Sequence, residues 1–274
     1  MGKNLKEVTL ARQVGWLDEH LQSLKPDYMY SPFWRADDIR SSGVKVKIPH
    51  KFTQGRLVHL LSQNELWMYL HLARNPLVVD VYEQYAVPLD FSLSVAHEAG
   101  IKHPTHLHVK TPAIQTIDFV AELINPETGE YEYHVIAVKH EEEHDLSFRT
   151  IEKLALQEAY AIEYNMKYHL VTGSVLRTQL SVTLELLYRY RHLSEYLETL
   201  SQSWLSNFIG TLSDSPNKPT AHLISQASEV TGCGNWVGVQ FFYNALWHKK
   251  LTWDWTQSLK LEMAASDLEV CLND

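Results

Sequence analysis

The sequence predicts an α/β domain with a mixed sheet, followed by an α-rich domain with the layout of a winged helix. Two observations predict this division. Residues 115–138 alternate like two strands around a strong turn, and a helix and another strand follow them. Later in the chain, two helical segments flank a Gly-Cys-Gly turn and precede two alternating apolar runs. A chain of 274 residues is long enough for both domains.

The composition is that of an ordinary globular protein, with 45% hydrophobic and 21% charged residues, which excludes disordered, collagen-like and coiled-coil classes. The two cysteines cannot form a disulfide framework or a four-thiolate metal site, a usage that fits a reducing compartment. No run reaches the roughly 18 apolar residues of a membrane span. The N-terminal segment lacks the apolar core of a signal peptide. We therefore expect a cytoplasmic protein without membrane contact.

Two helices are predicted in the first part of the chain. Apolar residues recur at spacings of three and four through residues 5–24, which predicts an amphipathic helix that ends at Pro26. Its predicted buried face comprises Leu10, Val14, Leu17, Leu21 and Leu24. After an irregular stretch with short strands at 26–59, a second helix spans 62–74.

Four strands are predicted in the rest of this domain, at residues 77–87, 115–124, 131–138 and 167–172. The turn formers at 125–130 join the second and third strands into a hairpin. A helix at 149–165 separates the third and fourth strands, and a passage of this kind usually makes a right-handed parallel crossover. We assign residues 1–172 to this domain.

Residues 173–274 are assigned to the second domain. One long helix is predicted at 179–200, and a linker dense in turn formers at 213–219. Helices at 220–230 and 236–248 come next, with the Gly-Cys-Gly turn between them. This order is the start of a winged helix.

The last predicted element is a hairpin, made by the alternating runs 250–255 and 258–263, which would be the wing. We assign six aromatic residues to the core of this domain: Trp236, Phe241, Phe242, Trp247, Trp253 and Trp255. From residue 171 onward there are seven cations and ten acids. A helix that reads a DNA groove presents more polar donors. We therefore expect this domain to contact a protein partner first, with DNA contact optional.

The hairpin at 115–139 carries the candidate catalytic residues. Asp118 lies near the start of its first strand and Lys139 at the end of its second, so both are expected at one rim of the sheet. Carboxylates hold Mg²⁺ against a scissile phosphate, and a cation positions the attacking water. Glu65, in the first turn of the 62–74 helix, is the candidate second acid. The pattern indicates a metal-dependent phosphodiesterase.

Each of these residues also has a structural interpretation. Glu65 completes the capping-box pattern Ser62-Gln63-Asn64-Glu65, in which the glutamate reaches back to the cap amide. Asp118 could be a strand-end acid on a solvated face. Lys139 opens a charged run at 139–145 that could be a solvated loop. The spacing alone leaves both interpretations open.

The charge is unevenly distributed. The chain carries 24 Lys and Arg against 33 Asp and Glu, a net charge of −9 that argues against a protein that coats nucleic acid. Residues 35–59, however, hold six cations and only two acids. This basic segment could follow backbone phosphates, or it could be an ordinary solvated loop. Its candidate DNA-binding residues are Arg35, Arg40, Lys45, Lys47, Lys51 and Arg56.

A histidine cluster offers a competing metal site. His103, His106 and His108 could supply imidazoles to Zn²⁺. The intervening Pro104 and the short spacing favour a loop with solvated histidines instead.

Several separate blocks, in this order along the chain, resemble TnsA, the endonuclease subunit of heteromeric cut-and-paste transposases. The blocks are Ser41-Ser42-Gly43, GRLVHLLSQNEL (55–66), VVDVYEQY (78–85), GIKHP (100–104), TIDF (116–119), AVK (137–139) and TIEKLALQEAY (150–160). The resemblance extends through most of the chain. It implies a restriction-endonuclease-like mixed-sheet domain followed by a winged-helix-like C-terminal domain.

The resemblance also implies the catalytic residues. The catalytic acids of the family correspond to Glu65 and Asp118 in this sequence, and the catalytic lysine corresponds to Lys139. The resemblance implies that both acids and the Val138 carbonyl hold Mg²⁺. It also implies that Mn²⁺ can substitute. One position departs from the family pattern, because Ala137 stands where members can carry a glutamine.

The resemblance further implies a cut at the 5′ ends of a transposon, on the strand that is not transferred. The implied partners are transposon-end DNA, a TnsB-like strand-transfer transposase and a TnsC-like AAA+ ATPase. Two alternatives stay open: a stand-alone restriction-like nuclease, and a catalytically silent DNA-binding scaffold subunit, which Ala137 keeps possible.

Overall fold

The structure is a computed structural model that describes residues 3, 8–39, 43–106, 110–140 and 142–273, with the side chain of Glu143 left aside. Contacts divide the chain into two compact units, one up to Leu176 and one from Arg177. Within the described ranges, no helix combines the length and apolar character needed to cross a membrane.

Helix α1, Leu10–Ser23, buries a different face from the predicted one. Leu17 is buried, but Leu10 and Val14 are 49% and 41% exposed, so the predicted apolar face is wrong there. The buried positions are taken by polar residues that find partners distant in sequence. Gln13 Nε2 donates to Pro112 O at 2.8 Å, and His20 Nε2 accepts from Ala86 N at 3.2 Å.

The first unit is built on a four-stranded sheet in the order β3-β4-β5-β6. Its strands are β3 (Val78–Ala86), β4 (Thr116–Ile124), β5 (Tyr131–Val138) and β6 (Lys167–Val171). The first three strands are antiparallel, and β5 and β6 are parallel. Helix α4, Phe148–Glu163, connects the parallel pair. The predicted mixed sheet and its crossover are confirmed.

The remaining elements of this unit surround the sheet. Strands β1 (Val46–Pro49) and β2 (Leu57–Leu60) form a separate antiparallel pair ahead of helix α2 (Gln63–Arg74). Helix α3 (Leu89–Glu98) was not predicted from the sequence. A short helix, α5 (Gly173–Leu176), ends the unit. A core cluster between the sheet and α4 contains Val87, Ile117, Val120, Val135, Tyr160 and Ala161.

The second unit breaks the helix that was predicted at 179–200. Helix α6, Gln179–Leu187, ends in a short 3₁₀ turn, and α7, Glu195–Asp214, begins after Ser194 caps it. Carbonyls freed by the break are bound elsewhere: Asn244 Nδ2 donates to Tyr190 O at 2.7 Å. Because α7 continues to Asp214, the predicted linker starts later than expected.

Helices α8, Thr220–Thr231, and α9, Asn235–Trp247, lie close to their predicted positions. They are separated by a turn in which Gly232 takes the left-handed conformation, φ +76°. Each helix begins and ends within one residue of its predicted bounds, so the two predicted helices and the turn between them are confirmed.

The predicted wing hairpin is wrong. Strand β7, Leu251–Thr252, pairs with β8, Cys271–Leu272, instead of with 258–263. The backbone at 261–263 is bound to the start of α8: Thr220 N donates to Met263 O at 2.9 Å and Ala221 N to Leu261 O at 2.8 Å. These bonds satisfy the groups that a hairpin would have used.

The core of the second unit is aromatic. Trp204 stacks on Phe208, and both rings pack against α9 through Phe241 and Phe242. Trp247 and Trp253 are buried as predicted, and Trp255 is partly buried against Trp253. Trp236 is 63% exposed, so its predicted place in the core is wrong. It lies in the first turn of α9, where the neighbouring helices do not cover it.

Candidate active site

Asp118 and Lys139 meet at one rim of the sheet. The β4–β5 register pairs Phe119 with Ile136, which brings Asp118 level with Ala137 and close to the strand end. Asp118 Oδ2 accepts from Val138 N at 2.7 Å and from Lys139 Nζ at 3.3 Å. The ammonium also donates to Val138 O at 3.0 Å. The hairpin geometry expected from the sequence therefore brings the acid, the lysine and the carbonyl together.

Glu65 joins this group while it caps α2. Its backbone N donates to Ser62 Oγ at 3.1 Å, and its carboxylate accepts from Ser62 Oγ at 3.0 Å and from Leu61 N at 2.9 Å. Burial, with the charge of Asp118 as the next cause, raises the pKa of Glu65 to about 7. The amide that the carboxylate binds is that of Leu61, one residue before the predicted cap amide of Ser62. The capping and catalytic interpretations are compatible, because one buried carboxylate serves the helix end and lies in the field of Asp118.

Two amide side chains at the site were missed in the sequence. Gln84 Nε2 donates to Glu65 Oε2 at 3.3 Å, and Gln84 Oε1 accepts from Thr116 Oγ1 at 3.2 Å. Asn64 Nδ2 donates to Lys139 O at 3.2 Å and so connects α2 to the end of β5. No distinct signal in the sequence marked Gln84, because its strand also contains the polar residues Asp80 and Glu83.

A cavity of about 410 Å³ opens beside Asp118 and Lys139. Its other wall includes Thr150, Lys153 and Gln157 of α4. Gln157 Nε2 donates to Thr116 O at 2.8 Å, which fixes α4 to the start of β4. A larger, mostly apolar cavity of about 710 Å³ lies between α4 and β6, but neither Asp118 nor Lys139 lines it. The smaller, polar cavity is therefore the candidate site for the reacting phosphate.

The donors at this site suit a hard divalent cation. They are oxygens: the carboxylates of Asp118 and Glu65 and the carbonyl of Val138. Lys139 Nζ bridges Asp118 Oδ2 and Val138 O, so a positive charge is already accommodated there. Ala137 is fully buried and offers no polar side-chain atom. The described residues contain no cluster of three or more His, Cys, Asp or Glu side chains that could hold a metal. The oxygen donors would suit Mg²⁺ or Mn²⁺, with water and substrate completing the coordination.

Arg56 is not placed to contact DNA. It is 4% exposed and forms an ion pair with Glu83. Its Nη1 donates to Val81 O at 3.0 Å, and its guanidinium lies 4.6 Å from the centre of the Tyr30 ring. The predicted phosphate contact of Arg56 is therefore corrected to a buried structural role. The sequence missed this role because the partner acid lies on strand β3, 27 residues away in sequence.

The other candidate DNA-binding cations are less buried. Lys47 pairs with Asp37, and Lys45 Nζ donates to Ile39 O at 2.6 Å. Arg35 is exposed, and its Nη2 donates to Ser31 Oγ at 2.9 Å. Lys51 Nζ lies over the Phe52 ring. Arg40 falls outside the described residues.

The described part of the histidine cluster does not form a metal site. His103 Nε2 lies 3.0 Å from Ser92 Oγ, and its Nδ1 lies 2.9 Å from Pro104 O. His106 Nε2 lies 2.9 Å from Gln13 Oε1. The two rings are thus engaged with different partners. His108 falls outside the described residues.

Comparison with known proteins agrees with the resemblance in the sequence. Residues 75–173 match the family model described as TnsA-like endonuclease N terminal. The chain is also similar to the Transposon Tn7 transposition protein TnsA from Escherichia coli, with 28% identity over 203 residues, 73% of this chain and 69% of that protein. Both comparisons support the resemblance: the stretch from β3 to β6 is similar to a TnsA-like endonuclease domain, and most of the chain is similar to a TnsA protein.

Proposed function

We propose that this protein is the Mg²⁺-dependent endonuclease subunit of a heteromeric transposase, and that it cuts the non-transferred strand at the 5′ ends of a transposon. The observation that carries the proposal is the convergence of Asp118, Lys139 and Glu65 at the rim of a TnsA-like endonuclease domain. Mn²⁺ is expected to replace Mg²⁺, because both prefer oxygen donors.

The roles of the side chains follow from their contacts. Asp118, Glu65 and Val138 O would hold the divalent cation, which supplies a Lewis acid for a non-bridging phosphate oxygen. Lys139 would hold the attacking water in line and offset the charge that develops on the phosphate. The products would carry a 5′-phosphate and a 3′-hydroxyl.

We assign DNA cleavage to residues 1–172 and partner contact to residues 173–274. The net charge of −9, and the engagement of Arg56 and Lys47 with acids, favour weak DNA affinity for the protein alone. A TnsB-like transposase and a TnsC-like ATPase would bring it to the transposon ends. Exposed Trp236 is a suitable contact for a protein partner, because exposed aromatic residues are enriched at interfaces. Two free cysteines fit a cytoplasmic location.

A reconstituted excision assay tests the proposal. Labelled transposon ends would be incubated with this protein and the TnsB-like and TnsC-like proteins of the same element, in Mg²⁺ or in EDTA. Asp118→Asn is expected to reduce 5′-end cleavage at least about 100-fold while 3′-end joining by the partner continues. Asp90→Asn, at an exposed position of α3, is the matched control.

The same assay separates the alternatives. Unchanged 5′ cleavage by Asp118→Asn would identify a catalytically silent scaffold subunit, which is the interpretation that Ala137 allows. Efficient cutting by the wild-type protein without its partners would identify a stand-alone nuclease.

A further inference from the structure

We propose that Gln84 is a positioning residue that holds the Glu65 carboxylate ready for the divalent cation. This inference rests on the proposed function, because it assigns Glu65 to the metal. It adds a residue to the site that neither the charge pattern nor the acid and lysine spacing had indicated.

The backbone of Gln84 is the first observation. Its φ of +49° lies in the left-handed region, inside strand β3. The residues on either side remain paired with β4, since Glu83 pairs with Phe119 and Tyr85 with Ile117. Gln84 therefore lies level with Asp118 but leaves the pairing. A side chain is disfavoured in this conformation, and such residues cluster at functional sites.

The surrounding structure holds this conformation in place. Gln84 is 3% exposed, and its carbonyl accepts from Phe33 N at 3.0 Å. Its side chain reaches α2 and the start of β4, where both ends of the amide find partners. Glycine would take this backbone conformation without strain, so the position keeps a side chain at a cost in stability.

The side chain explains why that cost is tolerated. Its Nε2 donates to Glu65 Oε2, and its Oε1 accepts from Thr116 Oγ1. Only a carboxamide of this length supplies a donor toward one partner and an acceptor toward the other. A glutamate at this position would place a second carboxylate against Glu65, and an asparagine is shorter by one methylene.

These contacts also decide which oxygen of Glu65 faces a cation. Oε2 accepts from both Leu61 N and Gln84 Nε2, so its two lone pairs are engaged. Oε1 accepts from Ser62 Oγ and keeps capacity for one further ligand. Gln84 thereby orients Glu65 as a one-oxygen ligand. Outer partners of this kind typically change metal affinity by about 10- to 100-fold when they are removed.

A calorimetric titration of the protein with Mn²⁺ alone tests the inference. The variants are Gln84→Gly, Gln84→Asn and Gln84→Glu. Asn165→Gly is the matched backbone control, because Asn165 also has a positive φ, +53°, but lies after α4, away from the site. Urea unfolding without metal establishes that each variant is folded.

We expect Gln84→Gly to remain folded, because it relieves the backbone strain, and to bind Mn²⁺ about 10-fold more weakly than wild type. The Mn²⁺ affinity of Gln84→Asn should lie between those of wild type and Gln84→Gly, and the affinity of Gln84→Glu should be the weakest. In a Glu65→Ala background, Gln84→Gly should cause no further loss, because the amide acts through Glu65. The Mn²⁺ concentration for half-maximal 5′ cleavage should rise by the same factor as the dissociation constant.

An Mn²⁺ affinity of Gln84→Gly within twofold of wild type would overturn the inference, provided that Asp118→Asn abolishes binding. An equal loss of Mn²⁺ affinity on Gln84→Gly in the wild-type and Glu65→Ala backgrounds would also overturn the inference. If wild type and Asp118→Asn bind Mn²⁺ alike, the proposed function fails first, and the two failures are thereby distinguished.

Discussion

Lys139 and a divalent cation would compete for the same oxygen of Asp118. In this structure Lys139 Nζ lies 3.3 Å from Asp118 Oδ2 and 3.0 Å from Val138 O, two of the oxygens assigned to the metal. The ammonium would have to leave them when the metal binds. The adjacent cavity, which Lys139 lines, is where it can meet the attacking water.

The first prediction concerns Lys139→Met, which keeps most of the aliphatic stem and removes the charge. We expect Mn²⁺ binding to be equal to or tighter than wild type, because the competing ammonium is gone, while 5′ cleavage falls at least about 100-fold. Calorimetry and the excision assay measure the two effects. Lys25→Met, at an exposed position after α1, is the control. A loss of Mn²⁺ affinity as large as that of Asp118→Asn would contradict the competition.

The second prediction is that Glu65→Gln stabilises the metal-free protein while it abolishes cleavage. The pKa of Glu65 is raised to about 7 from 4.5, so its ionised form is disfavoured in the fold. The penalty develops as pH rises from 4.5 through 7 and is complete above 7. Glutamine removes it and can still accept from Leu61 N and donate to Ser62 Oγ. We expect a gain on the order of 1 kcal/mol at pH 8 in EDTA.

Urea unfolding at pH 8 and pH 4.5 measures this gain, which should be absent at the lower pH. A lower stability of Glu65→Gln at pH 8 would contradict the prediction and show that the capping contacts of the carboxylate outweigh the penalty of its burial. Ser62→Ala is the comparison for the cap, with an expected loss of about 1 kcal/mol at both pH values.

The third prediction is that Arg56 supports the fold and not DNA binding. Burial raises the pKa of Glu83 to about 7, even with Arg56 beside it. Arg56→Met leaves Glu83 buried without its counter-charge, and we expect a loss of about 3–5 kcal/mol of unfolding free energy. Lys45→Met should change it by less than about 0.5 kcal/mol. A stable Arg56→Met protein with weaker DNA binding would restore the original prediction.

The fourth prediction concerns acid sensitivity through His20. Burial lowers the pKa of His20 to about 4, and its ring already accepts from Ala86 N, so the neutral form is the bound one. Between pH 6.5 and 4 only the unfolded chain takes up this proton, so stability falls as pH falls. Between pH 7.5 and 5, the unfolding free energy of His20→Gln should fall by about 2 kcal/mol less than that of wild type. Exposed His97→Gln should behave like wild type.

The fifth prediction concerns the close contact of α9 with α7 and α8. A methyl group at Gly238 would overlap Ser228 Oγ, which itself accepts from Trp204 Nε1 at 3.2 Å. We expect Gly238→Ala to cost about 1–3 kcal/mol, although alanine is the better helix former. In a Ser228→Ala background the cost should shrink by at least about 1 kcal/mol. An equal cost in both backgrounds, measured by urea unfolding, would mean that the hydroxyl is not the obstacle.

Local patterns predicted the elements that depend on near neighbours. The turn at 125–130 and the alternation around it set the β4–β5 hairpin, and that hairpin alone brings Asp118 to Lys139. The crossover from β5 to β6 likewise follows from a strand, a helix and a strand in sequence.

The errors occur where a partner distant in sequence decides the outcome. His20 takes a buried position on α1 because Ser31 and Ala86 bind its ring. The wing is absent from the described chain because residues 261–263 bind the start of α8. Gln84 was missed because its role depends on a positive φ and on two other elements, none of which a strand pattern reveals.

The site is assembled from parts with very different chain separations. Asp118 and Lys139 come from one hairpin, and hairpins of this kind form in microseconds. Glu65 must be brought in on α2, through contacts such as that of Asn64 with the end of β5, 75 residues away in sequence. Closing that longer loop costs more entropy and comes later. A chain in which α2 has detached would keep the acid and the lysine side by side but lack the second carboxylate. We therefore expect incompletely folded copies of the protein to leave DNA uncut.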